Sequence, residues 1–181
     1  PLALFLLAAV GLLYGRFLWN PIVFDDVSLF DGTTLQAYGH SFFHFDLRWF
    51  AYASFGWTAN AFGANLPGFR LGNLLLHAAN AVALFFFLRR LFDAVLLRGN
   101  VAAQASSGRG LSHTWLAFFG ALLFALHPVA VYATEYLIQR SILMATLFSL
   151  LSWHAYLEGL LRGRPPRFVF AAVRYFLAVF S

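Results

Sequence analysis

The chain has 181 residues, of which 61% are hydrophobic and 10% charged, and its mean hydropathy is +0.74. Soluble globular domains carry about 25% charged residues, so this balance excludes an ordinary soluble domain and places the chain among membrane proteins. The net charge of +5 comes from arginine alone and sits mostly between apolar runs, a signal of membrane orientation and not of nucleic-acid binding.

Apolar runs long enough for the hydrocarbon layer, about 20 residues each, recur along the chain. The first covers residues 2–19, with Arg16 at its end free to snorkel to the interface. It lacks the small-residue cleavage site of a secretory signal and is expected to be retained. Residues 20–67 form a long polar-aromatic loop. Its stretch "FDLRWFAYASFGWTANAFG" predicts a helix lying in the membrane interface, or equally an aromatic belt. Further spans are expected over residues 68–91, 113–127 (ending at His127-Pro128) and 131–157, and a fifth begins at 168–181. The fold class expected is all-α: a polytopic membrane helix bundle with an interfacial helical loop after the first span. The chain begins at Pro1 without Met and stops in an apolar run at Ser181, which suggests the N-terminal part of a longer transmembrane domain.

Arginine placement orients the bundle. Arg89, Arg90, Arg98 and Arg109 follow the second span, and Arg162, Arg164 and Arg167 follow the fourth; both loops are expected in the cytoplasm. The long first loop, with Asp25, Asp26, Asp31 and Asp46, and the His127-Pro128 turn then face the opposite side. Cysteine is absent, which excludes disulfides and thiolate metal sites.

Four polar residues of the second span, Arg70, Asn73, His77 and Asn80, are spaced three, four and three apart and make one stripe on a helix. Such a stripe faces other helices or a cavity, and interhelical hydrogen bonding is the simpler explanation for Asn73 and Asn80. In the fourth span Glu135 and Gln139 share a face, with Arg140 about 140° round from Glu135. An intramembrane Arg and Glu read as functional, or as a structural ion pair with another helix. The pair Asp25-Asp26 offers hard-oxygen ligands for a divalent cation such as Mg²⁺ or Ca²⁺, or a helix cap. His40 and His44, four apart, are a weak zinc signal.

Taken in order, these segments resemble the membrane glycosyltransferases of the C type, nearest to the transmembrane O-mannosyltransferases that carry tetratricopeptide repeats and their bacterial relatives. "FDDVSLF" resembles the family's first acidic motif, "GFRLGNLLLHAANA" its Gly-Tyr-His-x-x-Asn-x-x-x-His stretch, and "LHPVAVYATEYLIQRSILMATLF" its His-Pro, Glu and Arg pattern. The chain departs from the family's Tyr-Arg-Pro-Leu at Leu47-Arg48-Trp49-Phe50. The resemblance implies transfer of a sugar from a polyprenyl-phosphate donor to a protein or glycan acceptor outside the cytoplasm, in a bacterial inner membrane with the site on the periplasmic side. It implies Asp25 as catalytic base, with Asp26 orienting the loop or holding a metal ion. Arg140, aided by Arg70, Glu135 and His127, would meet the donor phosphate, while Asn73, His77, Asn80 and Arg48 line the polar cavity. A non-catalytic subunit scaffolding a larger membrane complex, or a transporter with the stripe along its path, are the alternatives; membrane lipids are partners in each.

Overall fold

Arg70 to Asn80 decides where the bundle's polar interior lies, because the helix that carries it touches most of the others. In the computed structural model, which describes residues 1–30, 33–39, 46–98 and 112–181, every regular element is helical; the all-α expectation is met. His40, His44, Asp31 and Arg109 fall outside the described residues. The helices are α1 (Leu2–Tyr14), α2 (Thr33–Gly39), α3 (Trp49–Phe62), α4 (Leu66–Arg98), α5 (His113–Ala125), α6 (Ala130–Glu135), α7 (Arg140–Arg162) and α8 (Pro166–Val179). Single 3₁₀ stretches extend α1 over Gly15–Trp19, carry the acidic pair at Phe24–Phe30 and lead into α7 at Leu137–Gln139. Among the described residues, two segments are long and apolar enough to cross a membrane, Leu2–Trp19 and Leu66–Val95; His113–Ala125 is apolar but shorter.

α4 begins where Asn65 accepts the Gly68 N–H at 2.8 Å, a side-chain cap just before Pro67 in the first turn. It packs on α1, α5 and α7. One stripe of α4 (Leu74, Ala78, Ala81, Phe85) meets Leu6, Val10 and Tyr14 of α1 and Ala117, Phe118, Ala121 and Ala125 of α5. The alanines let the backbones approach closely, which brings the helices into dispersion contact. The polar stripe runs one residue earlier, about 100° round the helix, and so turns toward α6, α7 and the end of α5. α7 ends at Gly163, whose φ of +58° closes the helix in the left-handed conformation. The chain then doubles back at Pro165 into α8, and Ser152 Oγ donates to the Ala171 carbonyl at 2.8 Å across the hairpin.

One sequence expectation changes and another gains detail. The single span over residues 131–157 is two helices broken at Tyr136, whose ψ of 107° is extended. The aromatic stretch does form a helix, α3, but it buries Trp49, Ala51, Ala53, Phe55 and Gly56 against neighbouring helices. The break in the fourth span creates orphan backbone groups, and the polar stripe of α4 lies where it can satisfy them.

Candidate functional site

A helix that stops in mid-run leaves N–H and C=O groups without intrahelical partners. At the α6–α7 break these are met by side chains from two distant segments. Asp26 is fully buried; its Oδ2 accepts the Leu137 N–H at 2.9 Å and its Oδ1 the Ile138 N–H at 3.2 Å. Asn73, also buried, donates to the carbonyl of Leu137 at 3.3 Å and, more weakly at 3.5 Å, to those of Ala133 and Tyr136. One carboxylate and one amide therefore hold the break open. Burial pushes the Asp26 carboxyl above its ordinary value, while the two backbone N–H groups and the charge of Arg70 pull the other way.

The neighbouring Asp25 behaves differently. It is exposed, and its Oδ2 accepts the Tyr136 hydroxyl at 3.0 Å. Its Oδ1 has no hydrogen-bond partner among the described residues. The residue before it, Phe24, has φ +51°, a conformation that costs a bulky side chain of order 1–3 kcal/mol. The Phe24 ring rests edge-on against Tyr136 at 5.7 Å between centroids. The acidic pair is thus split into a buried clamp and an accessible carboxylate steered by a phenol.

Both candidate arginines are buried below this loop. Arg140 donates from Nε to Asn73 Oδ1 at 2.8 Å, from Nη1 to Ser54 Oγ at 3.1 Å and from Nη2 to the Phe69 carbonyl at 2.6 Å. Its guanidinium lies 3.6 Å from the centre of the Phe55 ring. All these partners are neutral, and among the described residues Arg140 forms no ion pair. Arg70 donates to the carbonyls of Pro21 (2.7 Å), Asn20 and Glu135 (3.3 Å), and its Nε stands 3.6 Å from the Glu135 carboxylate. Asn20 Nδ2 donates to that same carboxylate at 3.2 Å. Arg70 therefore ties the end of the first helical run to α6.

The rest of the stripe runs away from the acidic loop. His77 Nε2 donates to the Ala125 carbonyl at 3.0 Å, which leaves Nδ1 unprotonated in the neutral ring. Asn80 Nδ2 donates to the Leu143 carbonyl at 2.9 Å, and its buried Oδ1 has no partner among the described residues. His127 is exposed; its carbonyl accepts the Tyr14 hydroxyl at 3.0 Å and its Nδ1 the Val129 N–H at 3.3 Å. His77, Asn80 and His127 line a largely apolar cavity of about 440 Å³ with Phe124, Leu143 and Thr146. Arg48 is exposed at the head of α3 with φ +66°, and among the described residues its side chain makes no hydrogen bond or ion pair with the buried set.

The structure thus brings together Asp25, Asp26, Arg70, Asn73, Glu135 and Arg140 through the α6–α7 break, gathers His77, Asn80 and His127 at a separate cavity, and leaves Arg48 apart. Four participants escape sequence reading: Tyr136, Phe24, Asn20 and Ser54. Tyr136 and Phe24 adjoin Glu135 and Asp25 in the chain, so proximity was a usable signal for them. Ser54 had a fainter one, a hydroxyl inside an aromatic run. Among the described residues no three His, Asp or Glu side chains converge as metal ligands, and Asp26 has spent both oxygens on N–H groups. No family model matches the chain, and neither a curated protein nor a solved structure is similar to it.

Proposed function

We propose that this chain is part of a polytopic membrane glycosyltransferase that moves a sugar from a polyprenyl-phosphate donor to an acceptor hydroxyl on the non-cytoplasmic side. The observation that carries the reading is the division of labour in the acidic pair: Asp26 is buried on the backbone of the α6–α7 break, and Asp25 is exposed and held by Tyr136. An accessible carboxylate over two buried guanidinium groups suits a reaction that gathers a proton on one side and releases a phosphate on the other.

In this reading Asp25 accepts the acceptor's hydroxyl proton as that oxygen bonds to the anomeric carbon. The bond from that carbon to the donor phosphate breaks, and the leaving polyprenyl phosphate keeps the electron pair. Arg140 and Arg70 stabilise the resulting negative charge. Both are at most 2% exposed, so direct contact with phosphate requires α3, whose Ser54 covers Arg140, to shift. Glu135 and Asn20 fix Arg70; His127 stands at the mouth of the 440 Å³ cavity, whose apolar walls suit the first isoprene units of the donor. The site lies in the segment that arginine placement assigns to the outer face, in a bacterial inner membrane the periplasmic one.

The test is transfer from a panel of polyprenyl-phosphate-linked sugars by the full-length protein in lipid. Turnover is expected for the intact protein, and a drop of about 10²–10⁴-fold for Asp25→Asn with folding preserved. Normal turnover in a folded Asp25→Asn protein overturns the assignment.

A further inference from the structure

At the opposite end of α4 from Asp25, some twenty residues and so about 30 Å along the helix, lies a second cluster that the proposed reaction does not use. Glu158 of α7 is 5% exposed and is surrounded by arginines: Arg90 Nε contacts its Oε1, Arg162 Nε its Oε2 at 2.8 Å, and Arg167 Nη1 the same oxygen at 3.3 Å. Arg89 and Asp93 border the same recess, and Asp93 is taken by His113 at 2.7 Å. Four guanidinium groups against two carboxylates leave an excess of two positive charges. Arg162 is about half exposed, so donors remain available on its outer edge.

Beside this recess runs an apolar groove of about 530 Å³ between α1, α4 and α7, with Leu7, Leu75, Val82, Ala83 and Leu151 among its walls. The groove and the arginine recess share Phe86 and His154. From Leu75 to Phe86 the groove follows about 16 Å of helix. Where the two meet, the buried Nδ1 of His154 has no partner among the described residues.

We propose that this composite site binds an anionic phospholipid, with its phosphate on Arg89, Arg90 and Arg162 and one acyl chain in the groove. Charge complementarity selects the occupant: a guanidinium cluster pairs with phosphate oxygens two at a time, and basic recesses at the cytoplasmic end of a helix bundle meet anionic headgroups at that depth. His154 at the junction offers an N–H to an ester carbonyl, the acceptor that a glycerolipid places between head and tail. The groove supplies the length an acyl chain needs, and a free phosphate would leave it unused. The inference rests on the membrane part of the proposed function and is independent of sugar transfer.

The experiment uses full-length protein, purified in a mild detergent and titrated with phosphatidylglycerol, with phosphatidylcholine and with inorganic phosphate, read by native mass spectrometry and by Tm. Phosphatidylglycerol is expected to bind at least tenfold better than phosphatidylcholine and to raise Tm; phosphate alone should do neither. Arg89→Gln with Arg162→Gln, both at exposed positions, should abolish the preference. Ala83→Phe, which fills the groove, should weaken both lipids. Equal binding of the two lipids overturns the site, as does stabilisation by phosphate alone equal to that by phosphatidylglycerol, or a preference that survives the double arginine variant. Alkaline carbonate extraction of the protein from membranes would overturn the membrane reading itself, and so separates the two failures.

Discussion

Asp26 carries a net penalty for being charged where it lies. Its folded pKa is raised above the ordinary 3.8, chiefly by burial, so its titration contributes stability that is fully present below that value and lost as pH rises through the raised one. Asp26→Asn should flatten this part of the Tm–pH profile. It also turns one acceptor into a donor facing a backbone N–H, a loss of about 1–3 kcal/mol of stability that is felt above the raised pKa, where the wild-type carboxylate accepts with both oxygens. Thermal melts of both proteins across the acid range check the two effects together. Arg140 poses the complementary problem, a buried cation with three neutral acceptors. Arg140→Lys keeps the charge but cannot reach Asn73, Ser54 and the Phe69 carbonyl at once, and it gives up the flat stack on Phe55. The protein should melt earlier, and the proposed donor should bind more weakly. Normal donor affinity with earlier melting would leave Arg140 as a structural brace alone.

The helices constrain one another tightly where α4 crosses α7. A Cβ at Gly72 would stand 2.7 Å from Arg140 Nη2 and 3.2 Å from its Cζ. The guanidinium is a side-chain end, but Phe55 and three acceptors hold it in place, so Gly72→Ala should displace it from them. Its destabilisation should then be markedly less than additive with that of Arg140→Lys, because both variants lose the same contacts. A double-mutant cycle in detergent reads this directly, and strict additivity would mean that the crossing tolerates the methyl elsewhere. The same crossing explains why α6 and α7 are separate: Asp26 and Asn73 satisfy the groups that a break leaves bare, and without them an unbroken helix is the cheaper backbone in an apolar setting.

For the whole molecule, the proposed membrane topology places the acidic loop and the arginine recess on opposite faces. Gly63 and Gly163, the obvious labelling sites, have φ of +80° and +58°, and cysteine there would be strained. The exposed Ala64 and Arg164 serve instead. Cysteine at Arg164 should resist an impermeant thiol reagent in intact cells and react after permeabilisation, while cysteine at Ala64 should react from outside. Both positions labelling from the same side would overturn the orientation, and with it the placement of Asp25 in the periplasm.

The sequence by itself determined that the chain is helical, because its apolar runs are too long for strands and carry helical periodicity. It also showed the stripe from Arg70 to Asn80, because a period of three and four survives any later packing. It could not show what the stripe binds. Asn73 and Asp26 meet at residues 133–138, more than a hundred residues from Asp26 in the chain, and local pattern carries no information about such a pairing. The break at Tyr136 was hidden for the same reason: the residues that stabilise it lie in other segments, and residues 131–157 read locally as one apolar run. The resemblance gives Asp25 and Asp26 different roles, but only the tertiary structure shows a physical difference between them. Two adjacent aspartates are equivalent in a sequence, and they become unlike only when one is enclosed by backbone N–H groups and the other is left in reach of solvent.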